Sequence, residues 1–132
     1  MSTEFKTSQD VPPIYEKCHE AFGVNWDDGI VITYGDTVYS KYDLSPDLIV
    51  HEGVHVEQQK VMGPEKWWEM YLEHKEFRLL EEVDAYSAQI KFIKSNVKDR
   101  NEAFRYCHKI WQDMARMYGS MCSYSEAKKL TE

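Results

Sequence analysis

A strong helix start stands near the middle of the chain, at Ser45-Pro46-Asp47. A serine oxygen can cap free amides, proline suits the first helical turn, and an acid there meets the positive end of the helix dipole. Further along, Gly63 and Pro64 mark the end of one helix and the start of the next. With the apolar periodicity, these signals predict a succession of helices over residues 48–62, 64–74, 75–97 and 100–118.

The β structure is expected upstream of that series. The run over 29–40 is rich in β-branched and aromatic residues, and Gly35-Asp36 forms a turn within it, so we predict a two-stranded hairpin. A short helix over 14–22, ended near Gly23, should precede the hairpin. The fold class is therefore mainly α (α+β): a compact helical domain with a small β-hairpin before the helix over 48–62.

The length and composition are typical of one folded domain. We assign the 132 residues to a single domain over 1–132, and expect 1–10 and 119–132, which show little pattern, to be flexible or peripheral. Apolar residues make up 42 %, which disfavours disorder. The net charge is −7 and the 16 Lys and Arg are scattered, which disfavours nucleic acid as a partner.

The cysteines and the start of the chain bear on the compartment. Cys18, Cys107 and Cys122 form an odd set without a CxxC pair, which is typical of free thiols in a reducing compartment. The N-terminal residues lack the apolar run of a secretory signal, and no stretch has the length of a membrane span. We therefore expect a cytoplasmic protein that does not bind a membrane.

The helix over 48–62 carries His51-Glu52-Gly53-Val54-His55, an HExxH sequence. Residues four apart on a helix are separated by about 40° around the axis and about 6 Å along it, so both imidazoles can converge on one ion. Glu52 lies about 100° around the helix axis from His51. In that position its carboxylate can act as a base toward a water molecule that the ion binds and activates. The alternatives are a chance occurrence and a pair of core or surface histidines, but buried imidazoles would need several hydrogen-bond partners. We interpret the motif as a zinc site.

A catalytic zinc ion usually takes three protein ligands, so a further ligand is expected on the helix over 75–97. A polar strip runs along the predicted buried face of this helix and contains Arg78, Glu82, Ala85 and Gln89. A buried carboxylate without a partner would cost several kcal/mol. Glu82 is therefore the leading third ligand. Glu81, at the margin of the same sector, is the alternative ligand, and an ion pair between Glu82 and Arg78 is the alternative without metal.

HEGVH, followed by EVDAY from Glu82, resembles the gluzincin metallopeptidases, especially their small minigluzincin forms. The resemblance covers roughly residues 29–93. It implies that Zn²⁺ is bound by His51, His55 and Glu82, that Glu52 is the catalytic residue, and that a strand before the active-site helix binds an extended peptide. The HExxHxxQQ pattern is also similar to that of small proteins from tailed-phage genomes, for which the location would be the virion.

The sequence departs from the gluzincin pattern in two places. Several gluzincins carry an acid four residues after the glutamate ligand, where it supports a ligand histidine, and here that position is Tyr86. No residue clearly matches the His or Tyr that steadies the oxyanion. Arg78, Tyr86 and His74 are the candidates, and each taken alone is expected to be structural.

The sequence thus predicts a zinc-dependent metallopeptidase that hydrolyses peptide bonds in a peptide or protein substrate. The first alternative is a structural or binding protein, for example an assembly subunit, in which the same zinc only ties two helices together. The second is a metal-free helical module whose HExxH is accidental.

Overall fold

The computed structural model describes residues 4–116 and 119–132. The helices are α1 (Tyr15–Phe22), α2 (Pro46–Met62), α3 (Pro64–Glu73), α4 (Lys75–Asn96), α5 (Arg100–Arg116) and α6 (Tyr124–Leu130). The strands are β1 (Lys6–Ser8), β2 (Val31–Tyr34) and β3 (Thr37–Ser40). The protein is mainly helical with one small sheet, as the sequence predicts. No helix within the described residues is long and apolar enough to cross a membrane.

The sheet has the order β1-β3-β2. Strands β2 and β3 form the predicted antiparallel hairpin, and Gly35 in its turn has a φ of 65°, which favours glycine. Strand β1 pairs in parallel with β3 and lies within 1–10, a segment predicted to be flexible or peripheral. The strand was not predicted because it has only three residues, all with polar side chains. It is held by backbone hydrogen bonds such as that from Lys6 N–H to Asp36 O, at 2.8 Å.

Helix α2 begins where the sequence indicates, but not through the expected cap. The Ser45 side chain makes no capping hydrogen bond, so that detail of the prediction is wrong. Instead, the Ser45 carbonyl accepts the first helical bond, from Ile49 N–H at 3.0 Å, and Pro46 opens the first turn. The side chain of Asp47 is used elsewhere, in a bond to a neighbouring helix.

The C-terminal segment is also more ordered than predicted. Within 119–132, helix α6 starts with a capping box between Ser123 and Glu126, and Ala127 is buried in the core beside α5. The Ser-x-x-Glu spacing was present in the sequence, but the stretch after it is short and mostly polar, so it gave little periodicity. The last two residues predicted for the fifth helix, 117–118, lie outside the described residues.

The polar strip on α4 is buried, as the sequence predicts. Arg78, Glu82, Ala85 and Gln89 all face inward, while Asp84 on the opposite side is exposed. Helix α4 packs along α2, and the two helices make the largest helix–helix contact among the described elements. One apolar core lies between α4, α5 and α6, and a second between α1, β2 and α3. The carboxylate of Glu82 is therefore held against the inner face of α2.

Candidate metal centre

His51 and His55 of α2 and Glu82 of α4 bring three ligand atoms together. The two Nε2 atoms lie 3.2 Å apart, and Oε1 of Glu82 lies 3.2 Å from Nε2 of His51 and 2.9 Å from Nε2 of His55. In a tetrahedral zinc site with bonds of about 2.0–2.1 Å, neighbouring donor atoms are about 3.3 Å apart. The spacing of the three atoms therefore fits the coordination sphere of a zinc ion.

The outer nitrogen of each imidazole contacts a glutamine side chain. Nδ1 of His51 lies 2.9 Å from Oε1 of Gln89, and Nδ1 of His55 lies 2.8 Å from Oε1 of Gln58. An amide oxygen can only accept, so both Nδ1 atoms carry the proton. In the neutral form of each imidazole, Nε2 therefore carries a lone pair, and the two Nε2 atoms face each other and Glu82. Converging lone pairs repel unless a cation lies between them, which is the chemistry of a metal-ligand set.

The charges around Glu82 agree with this arrangement. Burial alone would lower the pKa of His55, but the charge of the adjacent Glu82 and its hydrogen bond raise that pKa to about 9. Burial would likewise raise the pKa of Glu82, but the fields of His55 and His51 and their hydrogen bonds lower it well below its usual range. In the metal-free chain, a proton on His55 satisfies one of the close contacts, whereas a metal ion satisfies all of them.

Glu52 lies beside these three atoms, with its carboxylate farther from the imidazole of His51 than that of Glu82. Its Oε2 is 3.8 Å from Nε2 of His51, and its Oε1 accepts a hydrogen bond of 2.9 Å from the hydroxyl of Thr33 in β2. Ligand atoms of His51, Glu52 and His55 all lie within 4.8 Å of one another, so Glu52 is near enough to touch a molecule bound at the centre. The hairpin thus orients one carboxylate oxygen and leaves the other facing the centre.

Two further contacts separate the roles of Glu82 and Glu81. The second oxygen of Glu82 accepts a short hydrogen bond from the hydroxyl of Tyr71 in α3. Oε1 of Glu81 instead accepts from the indole of Trp67, at 2.9 Å. Arg78 donates to the Tyr71 carbonyl at 2.6 Å; burial lowers the pKa of its guanidinium, while the charges of Tyr71 and Glu82 act in the opposite direction. The geometry accordingly favours Glu82 over Glu81 as the third ligand.

The residues considered for oxyanion stabilisation are dispersed. The Tyr86 ring packs edge-on against the imidazole of His51, with centroids 4.4 Å apart. The guanidinium of Arg78 lies 5.0 Å from the centroid of the Phe22 ring. His74 is exposed at the junction between α3 and α4. None of these positions assigns an oxyanion role to the residue.

The hairpin is fastened to α2 by Gln59. Its Nε2 donates to the Thr33 carbonyl at 2.8 Å, and its Oε1 accepts from Gly35 N–H at 2.6 Å. The Thr33 carbonyl also accepts from the indole of Trp68, at 3.0 Å. These bonds place the carbonyl of Thr33 on the side of β2 that faces away from β3, at the outer edge of the sheet. That edge runs beside the metal centre.

A cavity of about 110 Å³ adjoins the centre. His51, Glu52, His55 and Glu82 line one side of it, and each of these four residues is between 2 % and 5 % exposed. Apolar side chains from α1, β2, α3 and the loops between them form the remaining wall: Phe22, Val24, Ile30, Ile32, Trp67 and Trp68. The centre therefore opens onto a small, mostly apolar space.

Sequence reasoning brought the ligand trio and Glu52 together, but it missed the residues around them. Thr33 and Tyr71 were not predicted to contact the site, and Gln89 was predicted only to be buried. The signal available was the burial of Gln89 in the polar strip of α4 and the position of Gln58 one turn after His55. No family model, curated protein or solved structure matches the chain.

Proposed function

We propose that this protein is a zinc-dependent metallopeptidase in which His51, His55 and Glu82 hold the metal and Glu52 is the general base. The observation that carries the proposal is the convergence of Nε2 of His51, Nε2 of His55 and Oε1 of Glu82 within 3.2 Å of one another. A zinc ion held there would supply a Lewis acid that polarises a carbonyl and lowers the pKa of a coordinated water. The resemblance of HEGVH and EVDAY to gluzincins supports the same class of enzyme.

Glu52 is the residue that moves the proton. Its Oε2 accepts a proton from the attacking water as the water oxygen bonds to the carbonyl carbon of the peptide. Glu52 then passes that proton to the amide nitrogen as the C–N bond breaks, which yields a carboxylic acid and an amine; the acid proton that remains from the water is then taken up by the amine, giving a carboxylate and an ammonium group. Thr33 holds Oε1 during both transfers, because its hydroxyl donates to that oxygen at 2.9 Å.

The surroundings of the centre favour an extended peptide with an apolar side chain. The outer edge of β2 lies beside the centre, and an extended segment can align there through backbone bonds. The carbonyl of Thr33 already accepts from Gln59 and Trp68, so alignment would rely on the backbone nearer Val31. The apolar cavity lined by Trp67 and Trp68 would take the side chain next to the cleaved bond.

Glu52→Gln tests the catalytic proposal. The substitution preserves the shape of the side chain and an oxygen for Thr33, but removes the base. We expect the variant to keep one equivalent of zinc by elemental analysis and to lose cleavage of a quenched fluorescent peptide library. Wild-type cleavage should disappear with a chelator and return with zinc. Cleavage by Glu52→Gln at the wild-type rate would refute the assigned role.

The burial of the centre favours a second function, a zinc-stabilised structural or binding protein such as an assembly subunit. All four site residues are at most 5 % exposed, and the ligands join α2 to α4. In that case His51→Ala should lower the melting temperature sharply while Glu52→Gln changes no measured property. Peptide cleavage by the wild type that depends on Glu52 would decide for the enzyme.

A further inference from the structure

A chain of hydrogen bonds leads from the outer nitrogen of His51 to the first turn of α2. Nδ1 of His51 donates to Oε1 of Gln89 at 2.9 Å, and Nε2 of Gln89 donates to Oδ2 of Asp47 at 2.8 Å. We infer that Gln89, oriented by Asp47, is a positioning residue that keeps His51 in the tautomer able to bind zinc. The inference rests on the metal centre of the proposed function and is independent of whether peptides are hydrolysed.

The amide of Gln89 has one accepting and one donating end, so a single orientation satisfies both of its neighbours. Turned over, its NH₂ group would face the Nδ1–H of His51, and its oxygen would face the carboxylate of Asp47. Gln89 is only 4 % exposed, so solvent offers little compensation for such a mismatch. Asp47 therefore fixes the amide, and the amide fixes the proton of His51 on Nδ1.

The position of that proton decides whether His51 can bind a metal through Nε2. An imidazole protonated on Nε2 has no lone pair there, and Nδ1 of His51 faces Gln89 instead of Glu82 and His55. The bond to Gln89 also fixes the plane of the ring, which directs Nε2 toward the other two ligands. Partners of this kind typically change metal affinity by about 10–100-fold when they are removed.

His55 offers an internal comparison. Its Nδ1 donates to Gln58, as that of His51 does to Gln89, but Nε2 of Gln58 donates to the backbone carbonyl of Glu81 at 2.9 Å. A backbone carbonyl stays in place when a side chain is replaced. The amide of Gln89, which contacts His51, is instead bonded to the side chain of Asp47. Substitution of Asp47 should therefore alter the orientation of His51 and leave that of His55 unchanged.

The experiment compares Asp47→Ala, Asp47→Asn and Gln89→Leu with Glu57→Ala, an exposed acid of α2 outside the chain of bonds. Zinc affinity is measured by competition with a chromophoric chelator, and the tautomer of His51 by ¹⁵N NMR of the imidazole. We expect Gln89→Leu and Asp47→Ala to weaken zinc binding by about 10–100-fold. Asp47→Asn keeps an accepting oxygen and should stay close to wild type, as should Glu57→Ala.

Equal zinc affinity in Asp47→Ala, Gln89→Leu and Glu57→Ala, with His51 still protonated on Nδ1, would overturn the inference. If Gln89→Leu does not fold, Asp47→Ala tests the same inference through zinc affinity and the tautomer of His51, because Asp47 is only half-buried. If the wild-type protein takes up no zinc, the proposed function fails by itself. The tautomer of His51 in the metal-free wild type and in Asp47→Ala then decides the inference: a shared Nδ1–H form contradicts it, and a loss of that form in Asp47→Ala supports it.

Discussion

The hydroxyl of Thr33 donates a hydrogen bond of 2.9 Å to Oε1 of Glu52, which joins the hairpin to the proposed base. Thr33→Val keeps the shape of the side chain and removes this donor. We expect zinc content to stay the same and kcat to fall, because the carboxylate loses the bond that orients it. The change is measured by peptide hydrolysis alongside elemental analysis. An unaltered kcat in an active enzyme would show that Thr33 does not position Glu52.

Glu82→Gln and Glu81→Gln form a matched pair of neighbouring isosteric substitutions. Glu82→Gln removes the charge from the oxygen that lies 2.9 Å from Nε2 of His55, whereas Glu81 accepts from the indole of Trp67. We expect Glu82→Gln to weaken zinc binding by more than about 100-fold, beyond the typical effect of an outer partner, and Glu81→Gln to leave it near wild type. Chelator competition measures both. The opposite ranking would transfer the ligand role to Glu81.

Tyr71→Phe removes the hydroxyl that donates to the second oxygen of Glu82. The carboxylate then loses an orienting bond, so zinc affinity should fall by about 10–100-fold. The control is Tyr124→Phe, which removes a hydroxyl 2.6 Å from Nδ1 of His108, in the core formed with α5 and α6. Titration with a competing chelator should separate the two variants. Equal zinc affinities would mean that the Tyr71 hydroxyl contributes to folding alone.

The stability of the metal-free protein should fall as the pH rises from about 6.5 to about 9. The pKa of His55 is raised from 6.5 to about 9 in the folded chain, so the folded state holds the proton more tightly than the unfolded state. This contribution, up to about 3 kcal/mol, is complete below 6.5 and is lost as the pH passes through 9. Urea denaturation of the chelator-treated protein at several pH values measures it.

The zinc-loaded protein is the control for this pH dependence. A zinc ion bound by Nε2 of His55 would replace the proton there, so the loaded protein should not show the same loss of stability between pH 6.5 and 9. Parallel curves for the loaded and metal-free forms would mean that the titrating group lies outside the metal centre.

Much of the architecture follows from local signals in the sequence. Proline and glycine mark the ends of α2 and α3, and the alternation around Gly35-Asp36 defines the hairpin. The burial of Glu82 was predictable because helical periodicity puts it on the same face as Ala85 and Gln89, opposite the charged residues of α4. Strand β1 is held by backbone pairing with β3, and helix α6 begins with a single capping box. Both escaped prediction because these interactions leave no apolar pattern in the sequence.

The surroundings of the centre depend on contacts between distant elements. The bonds from Gln89 to His51 and to Asp47 require the register of α4 against α2, which no local pattern encodes. Tyr71 reaches Glu82 only because α3 folds back beside α4. The spacing of His51 and His55 is intrinsic to one helix, so this candidate ligand pair could be predicted from the sequence, whereas the side chains that bond to it are brought there by the tertiary structure.

The bonds of Gln59 couple the hairpin mechanically to the proposed base. The side chain of Gln59 forms hydrogen bonds to the backbone of both Thr33 in the strand and Gly35 in the turn, and the hydroxyl of Thr33 donates to Glu52. A shift of the hairpin along α2 would therefore also displace the carboxylate of Glu52. An insertion or deletion in the hairpin turn, which contains none of the proposed zinc ligands, would therefore change the orientation of the Glu52 carboxylate.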